Sequence, residues 1–145
     1  MSLKSLLPLL VATASLQETA GPYTDDLSKC LVESTNKQDR IDLVRWIFAA
    51  AAANPAVASL ANVTPKAMDE ADTATGALFT RLLTESCKEK AKAAITYEDS
   101  MALQTSFQLL GQVAAGELFA SPEVRQAVSG LQAHVDAKKL EELKK

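Results

Sequence analysis

The chain is poor in the residues that usually announce chemistry. It holds a single histidine, two cysteines and one tryptophan, with two tyrosines and four phenylalanines besides. One histidine cannot build a three-histidine zinc site, and His134 has no G-x-S-x-G nucleophile elbow to serve. An excess of positive charge is also missing: 15 Lys and Arg stand against 18 Asp and Glu, a net charge of −3. A general nucleic-acid binder needs a basic surface to displace counterions from phosphate, and a polybasic membrane-surface protein needs basic clusters too. No run approaches the ~20 apolar residues that span a bilayer. There is no G-x-x-x-x-G-K-[ST] loop to cradle phosphates, so the helicase-like string Asp69-Glu70-Ala71-Asp72 carries no meaning here. That stretch also lacks oxygen ligands in calcium-loop order and reads as an acidic first turn complementing a helix dipole. Carboxylates are plentiful, but glycoside chemistry needs two across a cleft, beside aromatic platforms that this chain has few residues to build. No catalytic, cofactor-binding or metal-ligating residue is assigned, and the chain is read as a non-enzyme.

What is present is helix. Apolar residues make up 48% of 145 and charged residues 23%, a globular composition in a chain of one ordinary domain's length. No segment alternates apolar and polar residues with turn signals, so a sheet is not expected. Three prolines directly follow favoured cap residues, in Asn54-Pro55, Thr64-Pro65 and Ser121-Pro122, and each pair marks a helix start. These signals predict helices over about 25–34, about 36–53 with Thr35-x-x-Gln38 as a capping box, and a turn after Pro55. Further helices are predicted from Pro65 to as far as Ile95, over about 98–120, and from Pro122 to a C-cap near Gly130. A solvated helical tail follows from Asp136. The fold class is therefore all-α: a compact single-domain bundle of four main helices plus short pieces. The second helix carries Ile41, Leu43, Val44, Trp46, Ile47 and Phe48 around most of its circumference, a pattern that predicts the most buried element. Gly76, Gly111 and Gly116 suggest close helix approach or a kink.

The N-terminus reads as an address. Lys4, the apolar run 6–12 and the small-x-small Ala12-Thr13-Ala14 fit a secretory signal over 1–14. A linker over 15–24 and a helical domain over 25–145 follow, and the expected location is periplasmic or secreted. The alternative is a buried N-terminal helix of a cytosolic protein. Export permits a disulfide: Cys30 shares a helical face with Leu27 and Leu31, and Cys87 follows Phe79 and Leu83 in four-residue steps. The alternative is two free buried thiols; with no C-x-x-C, redox catalysis is not expected. Asp42, Arg45 and Trp46 form the candidate binding surface. They read either as the cationic and aromatic wall of a cleft or as an ordinary Asp–Arg helix pair beside a core tryptophan.

The runs Cys30-Leu31-Val32-Glu33, Asp39-Arg40, Leu43 to Ala50 and Ala74-Thr75-Gly76-Ala77-Leu78-Phe79 through Cys87 resemble an uncharacterised group of small secreted two-cysteine helical bacterial proteins. The resemblance covers most of the chain after the leader and implies export and a shared two-cysteine helical fold. It carries over no functional residue. The function expected is a non-catalytic interaction or accessory module with an unidentified protein partner. The alternative is a helical carrier or sensor binding a small apolar ligand near Trp46. No cofactor and no nucleic acid is expected.

Overall fold

The computed structural model describes residues 21–145. The leader expected over 1–14, and the linker as far as residue 20, lie outside them. The fold is all-α, with no strand among the described residues. Among the described residues seven α-helices follow in order: α1 Pro22–Glu33, α2 Lys37–Ala51, α3 Pro65–Arg81, α4 Lys88–Tyr97, α5 Met101–Phe119, α6 Pro122–Ser129 and α7 Ala137–Glu141. The described residues divide into two compact units, one ending at Ala114 and the other running Ala115–Lys145. The division falls inside α5, so no linker marks it.

Cap chemistry explains most boundaries. Thr64 and Ser121 accept hydrogen bonds from the Ala67 and Val124 N–H groups, with proline at the first helical position. Residues 22–24, assigned above to the linker, are helical, because Pro22 itself opens α1. The α2 cap is Asn36 rather than Thr35. Asn36 and Asp39 cap each other reciprocally, while the buried Thr35 donates its hydroxyl to the Val32 carbonyl at 2.9 Å. After Pro55 the chain makes a 3-10 turn, Ala58–Leu60.

The helix predicted from Pro65 to Ile95 is interrupted by a π turn over Leu82–Ser86. The Cys87 N–H reaches the Leu82 carbonyl at 2.8 Å, five residues back. A π turn uses more residues per revolution than an α turn, so Leu82 and Cys87 come onto one side and both are buried. Cys87 therefore bonds Cys30 across a Cα–Cα distance of 6.0 Å. The bridge ties α1 to the junction of the π turn and α4.

The core of the first unit gathers Leu27 and Leu31 of α1, Leu78 and Leu82, Ala91 and Ala94 of α4, and Ala102, Leu110 and Ala114 of α5. Phe107 of α5 stacks at a tilt on Phe79 of α3, ring centroids 4.1 Å apart. The expectation that α2 is the most buried element is wrong. Only Leu43 and Ala49 of α2 are buried, whereas Leu27, Leu31, Leu82 and Leu110 are sealed completely. α2 lies against α3 on one side, which leaves the other side of an all-round apolar helix in solvent. The glycines are also not sites of tight approach. A Cβ at Gly76 or Gly116 would meet nothing within 4 Å, and one at Gly111 would make an ordinary 3.6 Å contact with Ile47.

Two stability changes are expected. Gly76→Ala, in open space within α3, should stabilise the protein by about 0.5–1 kcal/mol in urea unfolding. Reduction or Cys30→Ser should cost about 2–4 kcal/mol, with amide exchange rising in α1 before α3 or α5.

Candidate functional site

α2 presents a stripe opposite its packed side. Ile41, Arg45 and Phe48, spaced at i, i+4 and i+7, share this face; Ile41 is 41% and Phe48 60% exposed. Beyond the end of α2 the chain adds Leu60, 83% exposed. There Ala49, Ala52, Ala53, Ala58 and Met68 line an open hollow of about 290 Å³. A second hollow of about 360 Å³ lies along α1, lined by Asp25, Lys29, Val32 and Leu109 among others.

The structure does not gather Asp42, Arg45 and Trp46 into one wall. Asp42 accepts a hydrogen bond from Gln38 at 2.9 Å. Arg45 makes no ion pair among the described residues and stands exposed between Ile41 and Phe48. Trp46 turns the other way, toward α3. Its indole N–H donates to Asp72 at 2.9 Å, and its ring meets Phe79 edge-on at 6.4 Å. The Asp–Arg helix pair considered above is thus not formed. Of the three, only Arg45 belongs to the exposed stripe, where Ile41 and Phe48 join it. Their shared face was legible from the i, i+4, i+7 spacing; their exposure was not, because an apolar face reads the same whether or not a neighbour covers it.

Two carboxylates tie helices of the first unit to one another. Asp39 caps the start of α2 and takes a 2.7 Å ion pair from Arg81 at the end of α3. Desolvation pushes Asp39 upward, but the Arg81 and Asn36 hydrogen bonds and nearby positive charge outweigh it and hold the carboxyl below its ordinary value. Glu98, just after α4, reaches across the fold to the start of α1. It accepts from the Tyr23 N–H at 2.6 Å, the Thr24 N–H at 3.1 Å and the Thr24 hydroxyl at 2.7 Å. Here too desolvation raises the pKa, and the Thr24 and Tyr23 hydrogen bonds bring it below the ordinary value. Glu98 thus supplies the acceptor that the first turn of α1 lacks locally. The approach leaves no room at Gly21, where φ is +102° and a Cβ would lie 2.5 Å from the Glu98 carboxylate. Tyr23 and Tyr97 stack beside this lock, centroids 4.8 Å apart. No local pattern announces such a cap, because 75 positions separate its partners.

Among the described residues no group of three or more His, Cys, Asp or Glu is placed to hold a metal ion. No described helix is long and apolar enough to cross a membrane. No protein family, curated protein or solved structure matches the chain.

Both carboxylates are held low in the folded state, so their contribution is present above the ordinary carboxylate range. It is lost as the pH falls from about 4 through the lowered folded values. Urea midpoints should therefore fall on acidification below about 4. E98Q should flatten part of that dependence, and an unchanged slope would contradict the lock. Gly21→Ala should destabilise by about 1–3 kcal/mol at neutral pH.

Proposed function

We propose that this chain is exported to the periplasm or the surrounding medium and acts there without catalysis, docking a protein partner on the exposed face of α2. The observation that carries this reading is the Ile41–Arg45–Phe48 stripe. Large apolar residues at helical spacing stand in solvent around a charge that has no partner among the described residues. A face of that kind suits helix or groove recognition, with apolar anchors supplying affinity and the arginine setting specificity. The Cys30–Cys87 bridge supports the compartment, since structural disulfides persist in oxidising spaces. The signal-like leader supports it from the sequence side.

A carrier for a small apolar molecule draws its support from the alanine-lined hollow at the end of α2. Trp46 is not among the residues lining that hollow, and its indole is occupied by Asp72. The partner reading is therefore preferred.

Capture from an extract of the source cells, with F48D and R45E beside the natural protein, tests the proposal. One protein should be retained by the natural chain and reduced roughly tenfold or more by each variant, a loss of about 1.4 kcal/mol or more. Helicity and urea midpoint should hold, because both side chains are exposed. A small molecule that shifts the emission of the single tryptophan, with no retained protein, would overturn the partner reading in favour of the carrier. Two free thiols and a retained leader, by intact mass, would overturn export.

A further inference from the structure

The Cys30–Cys87 bond is unequal at its two ends. Cys87 is only 2% exposed, whereas Cys30 is half-buried and packs at the edge of the core. The polar groups beside the two sulfurs differ as well. The Ser34 hydroxyl lies 3.5 Å from the Cys87 sulfur and 3.7 Å from that of Cys30. Bonded sulfurs carry no proton, so the hydroxyl is the donor. On the other side, the Ser86 carbonyl oxygen stands 3.7 Å from Cys30 Sγ. A disulfide sulfur has no proton to give it.

Opening the bond gives each of these groups a matching partner. A thiolate at Cys87 takes a hydrogen bond from the Ser34 hydroxyl, strengthened by the charge. Cys87 is also the N-cap residue of the ten-residue α4, and no side chain caps that helix. The positive end of the helix therefore meets the new negative charge. A thiol at Cys30 can donate to the Ser86 carbonyl, which would repel a thiolate in the same place. The surroundings thus sort the two sulfurs into a thiolate and a thiol.

We propose that Cys30–Cys87 is a redox switch, opened by two equivalents of an external thiol. The first thiol, having lost its proton to solvent, attacks Cys30 Sγ, the more accessible sulfur. The Cys30–Cys87 bond breaks as the mixed disulfide forms, and Cys87 leaves with the electron pair as a thiolate. Access and a stabilised leaving group both govern exchange rates, and here they select the same direction. A second external thiolate attacks the external sulfur of the mixed disulfide. Cys30 is released, takes a proton and donates it to the Ser86 carbonyl. The chain gains two electrons, and the two external thiols become one disulfide.

The consequence is local. The bridge holds the end of α1 against the π turn, while Glu98 holds its start by separate hydrogen bonds. Leu27 and Leu31 stay sealed in the core, so the reduced chain keeps the first turns of α1 docked. It frees the joint 34–36 that leads into α2, together with the π turn Leu82–Ser86. The switch uses no residue of the α2 stripe and stands apart from the docking reading.

Glutathione buffers of graded potential, applied to the full chain in its oxidised form, test the switch. The natural protein should open without urea. Ser34→Ala should shift its potential about 30 mV more negative, a roughly tenfold change in the exchange constant. Ser34→Thr, which keeps the hydroxyl, should restore the natural value, and Ser86→Ala, which keeps the carbonyl, should not change it. The urea midpoint of the oxidised Ser34→Ala protein should hold. Brief exposure to glutathione, acid quench, alkylation and peptide mapping should place glutathione on Cys30 and the alkyl label on Cys87. In the reduced protein, amide exchange should rise at 34–36 and 82–87 while Tyr23 and Thr24 stay protected. A bond that opens only when urea unfolds the chain would overturn the proposal in favour of a permanent staple. So would glutathione on Cys87, a potential that Ser34→Ala leaves unmoved, or loss of protection at Tyr23 and Thr24 together with 34–36.

Discussion

The first unit depends on keeping a twelve-residue helix in place. α1 is short enough to be marginal alone, yet Leu27 and Leu31 are sealed completely in the core. Removing α1 would expose leucine and alanine surface on α4 and α5 together. Two constraints at opposite ends prevent this. The Cys30–Cys87 bond ties its C-terminal half to the π turn, and Glu98 grips its first turn by hydrogen bonds. Between them Ser28 and the fully buried Ser106 form a polar contact at 3.2 Å, beside the Thr24 carbonyl. Polar groups there would weaken the core if unpaired; paired, they add direction to the docking of α1 on α5.

The π turn makes this arrangement possible. A continuous α-helix would place Leu82 and Cys87 well apart around its axis, so one of them would leave the core. Inserting the wider turn returns Cys87 to the side of Leu82 and aims its sulfur at α1. Phe79 and Leu83, in the same four-residue steps as Cys87, are half buried. The covalent tie and the change of helical register are thus one feature.

Part of the exposed apolar surface lies in two patches. One patch lies on α2 and another on the Ala115–Lys145 unit, and they differ in what accompanies the apolar residues. On α2 the accompanying charge is a lone arginine, which asks for an acidic or carbonyl-rich partner. Around Leu140 the charges balance one another. The α2 patch, with its lone arginine, is the one read as a docking face for another protein.

Much of the fold was legible in local signals. The cap-proline pairs located α3 and α6, and the lack of alternation excluded a sheet, because capping and periodicity act over a few neighbouring residues. The inward spacing of Cys30 and Cys87 brought the bridge within reach of the same reasoning. Asn36 displaced Thr35 as cap only because Thr35 is buried and bonded to Val32. The π turn, the reach of Glu98 to α1 and the exposure of α2 were not legible. Each depends on which face meets a neighbour distant in sequence, and residues such as Phe48 and Trp46 look alike until that neighbour is placed. The chain's own pattern therefore determined that it would be helical and where several helices begin. Tertiary packing alone decided that Trp46 would turn to Asp72 while Ile41, Arg45 and Phe48 faced solvent, because burial is a property of pairs of surfaces.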